Sequence, residues 1–258
     1  MFVPAALSQE IRDTVRDLLK QGISDCEIGR RVGINRSTVY RWRTNGIPET
    51  RAPRPPRRID PTSWSLIECI DYAYLLGLYL GDGYVGTHQR THSLVIALDA
   101  QYTHLIEECV EAVTTFAPRE PSVLQPQGTN GVRVTSYGSA WPQFFPQHGP
   151  GKKHERKIEL VDWQDEIVAT YPRQFLRGLI QSDGSRCENR FTIKLEEGPV
   201  EYSYPRYFFT NYSDDIRKLF TDTCEVLGIE WSQPSWRNIS VSNRKSVELL
   251  DTFVGEKR

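Results

Sequence analysis

Leu75–Tyr84 reads LLGLYLGDGY, and Leu176–Ser185 reads LRGLIQSDGS. Both stretches are short apolar helices with small residues at i and i+4: Gly77 and Gly81 in one, Gly178 and Ser182 in the other. Both end in Asp-Gly, at Asp82-Gly83 and Asp183-Gly184, and every matched position is offset by 101. Such self-similarity marks an internal duplication. Small residues one turn apart clear a stripe of the helix, so two such helices can pack with their backbones close. Gly77, Gly81, Gly178 and Ser182 are therefore the expected helix interface.

Packed this way, each helix ends beside the other and each end carries a carboxylate. A helix C-terminus is already partly negative, and an Asp there costs about 0.3–1 kcal/mol. Two carboxylates about 4 Å apart repel by ~4 kcal/mol at an intermediate effective dielectric. A hard divalent cation with oxygen ligands, Mg²⁺ first, offsets both penalties. Metal held by paired acids suits phosphodiester hydrolysis. The bland alternative is two core helices, each stopped by a glycine.

The paired stretches resemble the duplicated signature of the LAGLIDADG homing endonuclease family, over roughly residues 65–258. The resemblance implies an α+β fold of two pseudo-symmetric αββαββα lobes packed through the signature helices, with sheets that straddle double-stranded DNA. It implies that Asp82 and Asp183 are the catalytic metal ligands, with Mg²⁺ or another divalent cation as cofactor. Basic residues that steer water near the scissile phosphates are expected as well. Lys194, Arg244 and Lys245 are the candidates in the second lobe, and Arg206, Tyr204, Tyr202 and Asn211, with Arg133 in the first lobe, are candidates for reading the DNA. Leu80 and Gln181 stand where the family often has a further acid.

Residues 7–46 read as three helices, with apolar Ile11, Val15, Leu18 and Leu19 at helical spacing in the first. The string ISDCEIGRRVGINRSTVYRW resembles a helix-turn-helix DNA-binding unit of the resolvase kind. Its third helix offers Arg36, Ser37, Thr38, Tyr40, Arg41 and Arg43 to a groove. Residues 47–63 hold five prolines and four arginines and read as a semi-rigid linker. The expected division is thus 1–46 helix-turn-helix, 47–63 linker, 64–150 first lobe and 151–258 second lobe.

Within the first lobe, strands are expected at His92–Asp99, Ser122–Gln125 and Val132–Tyr137, with a helix from Tyr102 to Phe116 and a short one around Ala140–Phe145. The second lobe repeats the order. A helix at 172–183 is followed by strands Phe191–Leu195 and Tyr204–Thr210, a helix Ser213–Leu227, strands near Glu230–Ser232 and Asn238–Ser242, and a helix from Ser246. The basic connector from Lys152-Lys153 to Lys157 is read as a solvated loop or a phosphate contact.

The net charge of −1 conceals a split. Residues 1–63 carry 12 Lys+Arg against 7 Asp+Glu; the remainder carries 20 against 26. A basic N-terminal part is a nucleic-acid footprint. Five scattered cysteines with no CxxC pair argue for a reducing compartment and against structural zinc. With no apolar run of membrane length and no leader pattern, a cytoplasmic protein is expected, nucleoid-associated when bound to DNA. No intein splice residues flank the lobes, so a freestanding monomer with internal pseudo-two-fold symmetry is expected. Residues 64–151 contain no lysine, and only Arg90, Arg119 and Arg133 are permanently cationic there. Unequal cutting, with nicking ahead of double-strand cleavage, is the consequence drawn.

Two functions compete at this level. One is a site-specific, metal-dependent DNA endonuclease. The other is a non-cleaving transcriptional regulator that keeps the fold for binding, as in sporulation regulators that join LAGLIDADG-like lobes to a helix-turn-helix. A transposase or resolvase accessory role rests on the N-terminal part alone.

Overall fold

The computed structural model describes residues 8–48, 58–195, 198–255 and 257, apart from the side chains of Phe191, Lys194 and Leu195. They fall into two compact units, divided between Pro55 and Pro56. Arg51, Arg54 and Arg57 of the linker lie outside the described residues.

The N-terminal unit is three helices, α1 (Gln9–Lys20), α2 (Asp25–Val32) and α3 (Arg36–Asn45). Ser8 and Ser24 cap the first two by accepting the Ile11 and Glu27 amides. Gly33 ends α2 at φ 70°, a left-handed conformation that suits glycine. Val15, Ile28, Val39 and Trp42 fill the small core.

The larger unit begins earlier than expected. Ile59 packs on the core and its amide donates to Gln143 Oε1 at 3.2 Å, so the residues just before Trp64 belong to the body. Then follow α4 (Leu66–Asp82), β1 (Gly83–Thr87), β2 (His92–Asp99), α5 (Thr103–Phe116), β3 (Ser122–Leu124), β4 (Gly131–Tyr137) and α6 (Trp141–Phe144). After α7 (Asp162–Thr170) the same order returns. It runs α8 (Pro172–Asp183), β5 (Gly184–Leu195), β6 (Gly198–Thr210), α9 (Asp214–Val226), β7 (Ser232–Ser235), β8 (Asn238–Val241) and α10 (Arg244–Asp251). The antiparallel sheets are ordered β1-β2-β4-β3 and β5-β6-β8-β7, strand for strand alike. The fold class is the expected one: α+β, two αββαββα lobes, and a separate helical N-terminal unit.

The expected bounds shift in identifiable places. β1 and α7 were not anticipated, and β5–β6 is one long hairpin rather than two short strands. Residues 199–203 of β6 are exposed, so they carry no alternating apolar signal. Helix α7 is short; it docks through Trp163, Ile167 and Val168 on the core and through one buried amide. Gln164 donates to the Tyr72 hydroxyl at 2.6 Å and accepts from the Val161 amide at 3.1 Å, in a fully buried position.

Helices α4 and α8 form the spine. Ser65 and Glu68 close a capping box at the start of α4, with Ser65 N–H donating to Glu68 Oε2 at 2.7 Å. From Tyr72 to Leu80 every residue of α4 is buried, because the helix meets both lobes. A Cβ on Gly77 would sit 2.5 Å from the Phe175 carbonyl oxygen, and one on Gly178 would collide with the Tyr74 carbonyl. A Cβ on Gly81 would strike the Ser182 side chain. Across the seam the Tyr74 hydroxyl donates to Gln181 Oε1 at 2.6 Å, and Gln181 Nε2 donates to the Val254 carbonyl at 2.9 Å. Gln181 thus holds the interface together, which accounts for an amide at that position.

Candidate active site at the paired helix ends

Each helix of the spine runs directly into a strand. Gly83 and Gly184 have φ of −98° and −101°, so they are not left-handed caps. They are glycine for want of room: a Cβ on Gly83 would lie 2.6 Å from Tyr79 Cα, and one on Gly184 2.7 Å from the Ile180 carbonyl oxygen. The tight passage leaves Asp82 and Asp183 at the ends of neighbouring helices. The carboxyl carbon of Asp183 lies 3.2 Å from the point where a Cβ on Gly81 would be.

Two lysines reach this spot from distant parts of the chain. Lys153 Nζ donates to the carbonyls of Tyr79, of Leu80 at 2.9 Å and of Gly81 at 2.8 Å. Lys257 Nζ donates to the carbonyls of Ser182 at 3.1 Å and of Gly184. The Leu80, Gly81 and Ser182 carbonyls among these are helix-end acceptors with no intrahelical donor, and each lysine sets a cation against the negative pole of its helix. Asn211, just past β6, donates its side-chain amide to Asp183 Oδ2 at 2.6 Å, and its own Oδ1 is fixed by the Ser213 amide at 2.7 Å.

The electrostatics follow from burial. Asp82 is pushed up to about 6, first by burial and then by the neighbouring Asp183 charge, with Lys153 and Lys257 opposing. Asp183 is raised by burial as well, against the Asn211 hydrogen bond and the two ammonium groups. Burial pulls Lys153 down to about 8, while both carboxylates hold its proton on. Lys257 is lowered for the same reason. An open cleft beside Asp82, lined also by Asp99, Tyr102, Asn130 and Lys257, leads to solvent.

Among the described residues, no three His, Cys, Asp or Glu side chains gather to form a metal cage. Two carboxylates with cationic neighbours fit Mg²⁺ nonetheless. That ion keeps much of its water and binds through one or two carboxylates plus substrate phosphates. Asp82 and Asp183 are the residues that would hold it.

The other expected site residues are placed unequally. Lys153 does not lie free in a solvated loop: its ammonium is part-buried against the end of α4, although the boundary expected at 150/151 assigns it to the second lobe. Lys152 beside it is exposed and faces Glu155 at 4.0 Å. Lys153 thereby sets one ammonium at the end of α4, beside the lysine-free stretch 64–151. Lys194 lies ten residues along β5 from Gly184, roughly 33 Å at strand rise, and its side chain lies outside the described residues. Arg244 begins α10, pairs with Glu248 at 2.9 Å and is otherwise in solvent; Lys245 follows it. Arg206 lies on the sheet face away from the helices, because Tyr207 and Phe209 fill the opposite one. It donates to Ser240 Oγ at 2.7 Å and stacks 4.4 Å from the Phe208 ring. In the N-terminal unit Arg36, Ser37, Tyr40 and Arg41 of α3 are exposed and Thr38 is half-buried. Arg43 is spoken for: it binds Asp25 Oδ1 and the Ile23 carbonyl, both at 2.7 Å.

Sequence reading missed the roles of Lys153, Lys257 and Asn211. A signal existed for the lysines. Gly151-Lys152-Lys153 and Gly255-Glu256-Lys257 are a second Gly-x-Lys repeat, offset by 104, with Gly151 and Gly255 at φ 77° and 73°. No comparable signal marks Asn211, since the first lobe has Ala100 at that place.

Comparison with known proteins gives three kinds of match. The sequence model of a homeodomain-like domain covers residues 15–46. An uncharacterized protein of Methanocaldococcus jannaschii is 23% identical over 194 residues, which are 72% of this chain and 64% of that protein. This chain thus spans less than two thirds of the relative's length. Among solved structures, the N-terminal LAGLIDADG domain of WhiA aligns at TM-score 0.46 and 14% identity, over 74% of this chain and 85% of that one. The homing endonuclease I-DmoI in complex with DNA and Mn aligns at TM-score 0.47 and 13% identity, over 73% and 98%.

Proposed function

We propose that the chain is a site-specific DNA endonuclease of the two-motif, single-chain LAGLIDADG type, Mg²⁺-dependent and working as a monomer. Its domains are a helix-turn-helix (1–46), a linker (47–63) whose last residues pack on the body, and lobes 64–150 and 151–258, with Lys153 serving the first lobe. The reading is carried by one observation: two acids and two lysines from matching places of the repeat meet at one pair of helix ends. A duplicated acid on a duplicated lobe suits two phosphodiester bonds on opposite strands.

When bound, the divalent cation supplies activated water and neutralises charge on the leaving oxygen. Asp82 and Asp183 hold it. Lys153 and Lys257, anchored by helix carbonyls, are fixed cations for the scissile phosphates and need no reorganisation as charge builds up. Asn211 keeps the Asp183 carboxylate in one orientation. The sheet faces bearing Arg133 and Arg206, and helix α3 with Arg36, Thr38, Tyr40 and Arg41, contact double-stranded DNA. Lys152 contacts a phosphate. Lys194, Arg244 and Lys245 are retained as backbone contacts at most. The protein acts in the cytoplasm, at the nucleoid.

One observation favours the non-cleaving regulator: two ammonium groups already offset two carboxylates, so the site holds together without metal. A randomised duplex library incubated with Mg²⁺ separates the two. Cleavage that Asp82→Asn and Asp183→Asn each abolish supports the nuclease. Selective binding with no cleavage, unchanged in both variants, supports the regulator.

A further inference from the structure

The second lobe carries an aromatic and cationic cluster beside the acid pair. Backbone hydrogen bonds set the correspondence between lobes. Asn211 N–H donates to the Arg237 carbonyl at 3.0 Å, as Ala100 N–H does to the Asn130 carbonyl at 2.7 Å. Tyr212 and Trp236 adjoin the first pair; Gln101 and Thr129 stand at the matching places of the first lobe. Tyr212 and Trp236 meet edge to face at 5.5 Å, yet remain 51% and 63% exposed.

The rings are held in place by cations rather than by burial. Arg237 lies 5.4 Å from the Tyr212 ring and donates to its hydroxyl at 2.6 Å. Arg217 sits 5.9 Å from the Trp236 ring, itself fixed by the Asn211 carbonyl at 2.6 Å. The His154 ring lies 5.6 Å from Tyr212. Chain neighbours tie the cluster to the acid pair: His154 follows Lys153, and Tyr212 follows Asn211, whose amide holds Asp183.

We propose that Trp236 and Tyr212 form a stacking platform for an unpaired base of the DNA strand that leaves the acid pair on the second-lobe side. Arg217 is buried and paired with Asp214, so it fixes the indole, while the exposed Arg237 is the cation left for a phosphate. An exposed, immobilised indole beside such an arginine is the chemistry that stacks a base and neutralises its phosphate. A base inside a duplex has both faces covered, so only an unstacked one fits. The matching place in the first lobe bears no aromatic ring, so the platform serves one side of the site. The proposal rests on reading the acid pair as a DNA-cleaving centre.

The test uses the full chain in EDTA, with an oligo-dT strand of about twelve nucleotides as probe and a mixed-sequence duplex of equal length as control. Binding is followed by anisotropy and tryptophan quenching. Trp236→Ala and Tyr212→Ala are each expected to weaken oligo-dT binding about tenfold, with duplex affinity and melting temperature unchanged. Trp236→Phe retains binding, and Gln101→Ala has no effect. Oligo-dT affinity unaltered in both alanine variants, or lost equally on the duplex, overturns the platform. Because EDTA removes cleavage from the readout, failure here in a protein that still cleaves with Mg²⁺ sinks only the platform. Stacking that persists in a protein that never cleaves sinks only the nuclease.

Discussion

Lys257 repeats Lys153: each ammonium donates to the carbonyls that end one helix of the packed pair, Lys153 on α4 and Lys257 on α8. Each thereby satisfies helix-end acceptors and sets a positive charge beside the acid pair. The helix ends alone would be electrostatically poor, with two negative poles and two carboxylates in one place. The lysines convert them into a charge-balanced pocket whose carboxylates stay partly strained by burial.

That strain has a pH signature. Asp82 ionises near 6 in the folded chain and near 4 when unfolded. Between those values the folded state binds more protons, so stability falls as pH rises through the window and the penalty is complete above about pH 6. Asp82→Asn removes the penalty. Urea melts are expected to show the variant more stable by about 1–3 kcal/mol at pH 8 and indistinguishable near pH 4. A variant less stable at pH 8 contradicts the assignment.

The same acid couples metal binding to protons. If Asp82 holds magnesium as proposed, the ion must displace the proton that the carboxyl keeps below about 6. Affinity measured by calorimetry is expected to climb between pH 5 and 7, with proton release seen as a buffer-dependent heat near pH 6. Heats that do not depend on the buffer argue against Asp82 as a ligand.

The seam tolerates no added bulk. Gly178→Ala forces a Cβ into the Tyr74 carbonyl and is expected to cost about 1–3 kcal/mol or more, the usual range for overpacking. Ser182→Ala keeps its Cβ and loses a hydroxyl bonded to two carbonyls of its own helix and, at 3.5 Å, to the Gly77 carbonyl across the seam, so about 1 kcal/mol is expected. Equal thermal shifts for the two contradict the close-backbone account.

Asn211 has no amide counterpart in the first lobe, where Ala100 stands. Asn211→Ala frees the Asp183 carboxylate but leaves Asp82 as it was. On supercoiled plasmid bearing the site, the variant is expected to accumulate nicked product, while the parent linearises without it. Equal slowing of both cuts would mean that the amide serves the pocket as a whole.

In the N-terminal unit Arg43 and Arg41 are predicted to behave differently although they are two residues apart. Arg43→Ala breaks the Asp25 pair and the Ile23 carbonyl bond, so it lowers the melting point of the unit. Arg41→Ala leaves melting unchanged and flattens the salt dependence of DNA binding by about one unit of slope. A reversal of those effects would misplace the DNA-facing side of α3.

Much of the architecture was readable before any coordinates. The Gly-x-x-x-Gly and Gly-x-x-x-Ser stripes, the Asp-Gly ends and the shared offset give the spine, the two lobes and the adjacency of Asp82 and Asp183. Strand β2 and helix α8 begin and end where alternation and small-residue spacing place them. What eluded reading lacked a local pattern. The outer half of β5–β6 is exposed and so has no apolar alternation, and α7 is only nine residues long, too short for Trp163, Ile167 and Val168 to mark a stripe. The Arg43–Asp25 pair also escaped reading, because partners eighteen residues apart leave no mark in helix periodicity.

Sequence alone thus determined the duplication, the order of elements and the carboxylate at each helix end, because these depend on residues within a few positions of one another. Tertiary structure alone decided that Lys153 and Lys257 close the pocket, that Asn211 steadies one acid and not the other, and that Trp236 stands over Arg217. Those partners are separated by long stretches of chain, and only the path of the loops and the packing of α4 on α8 bring them within hydrogen-bond reach.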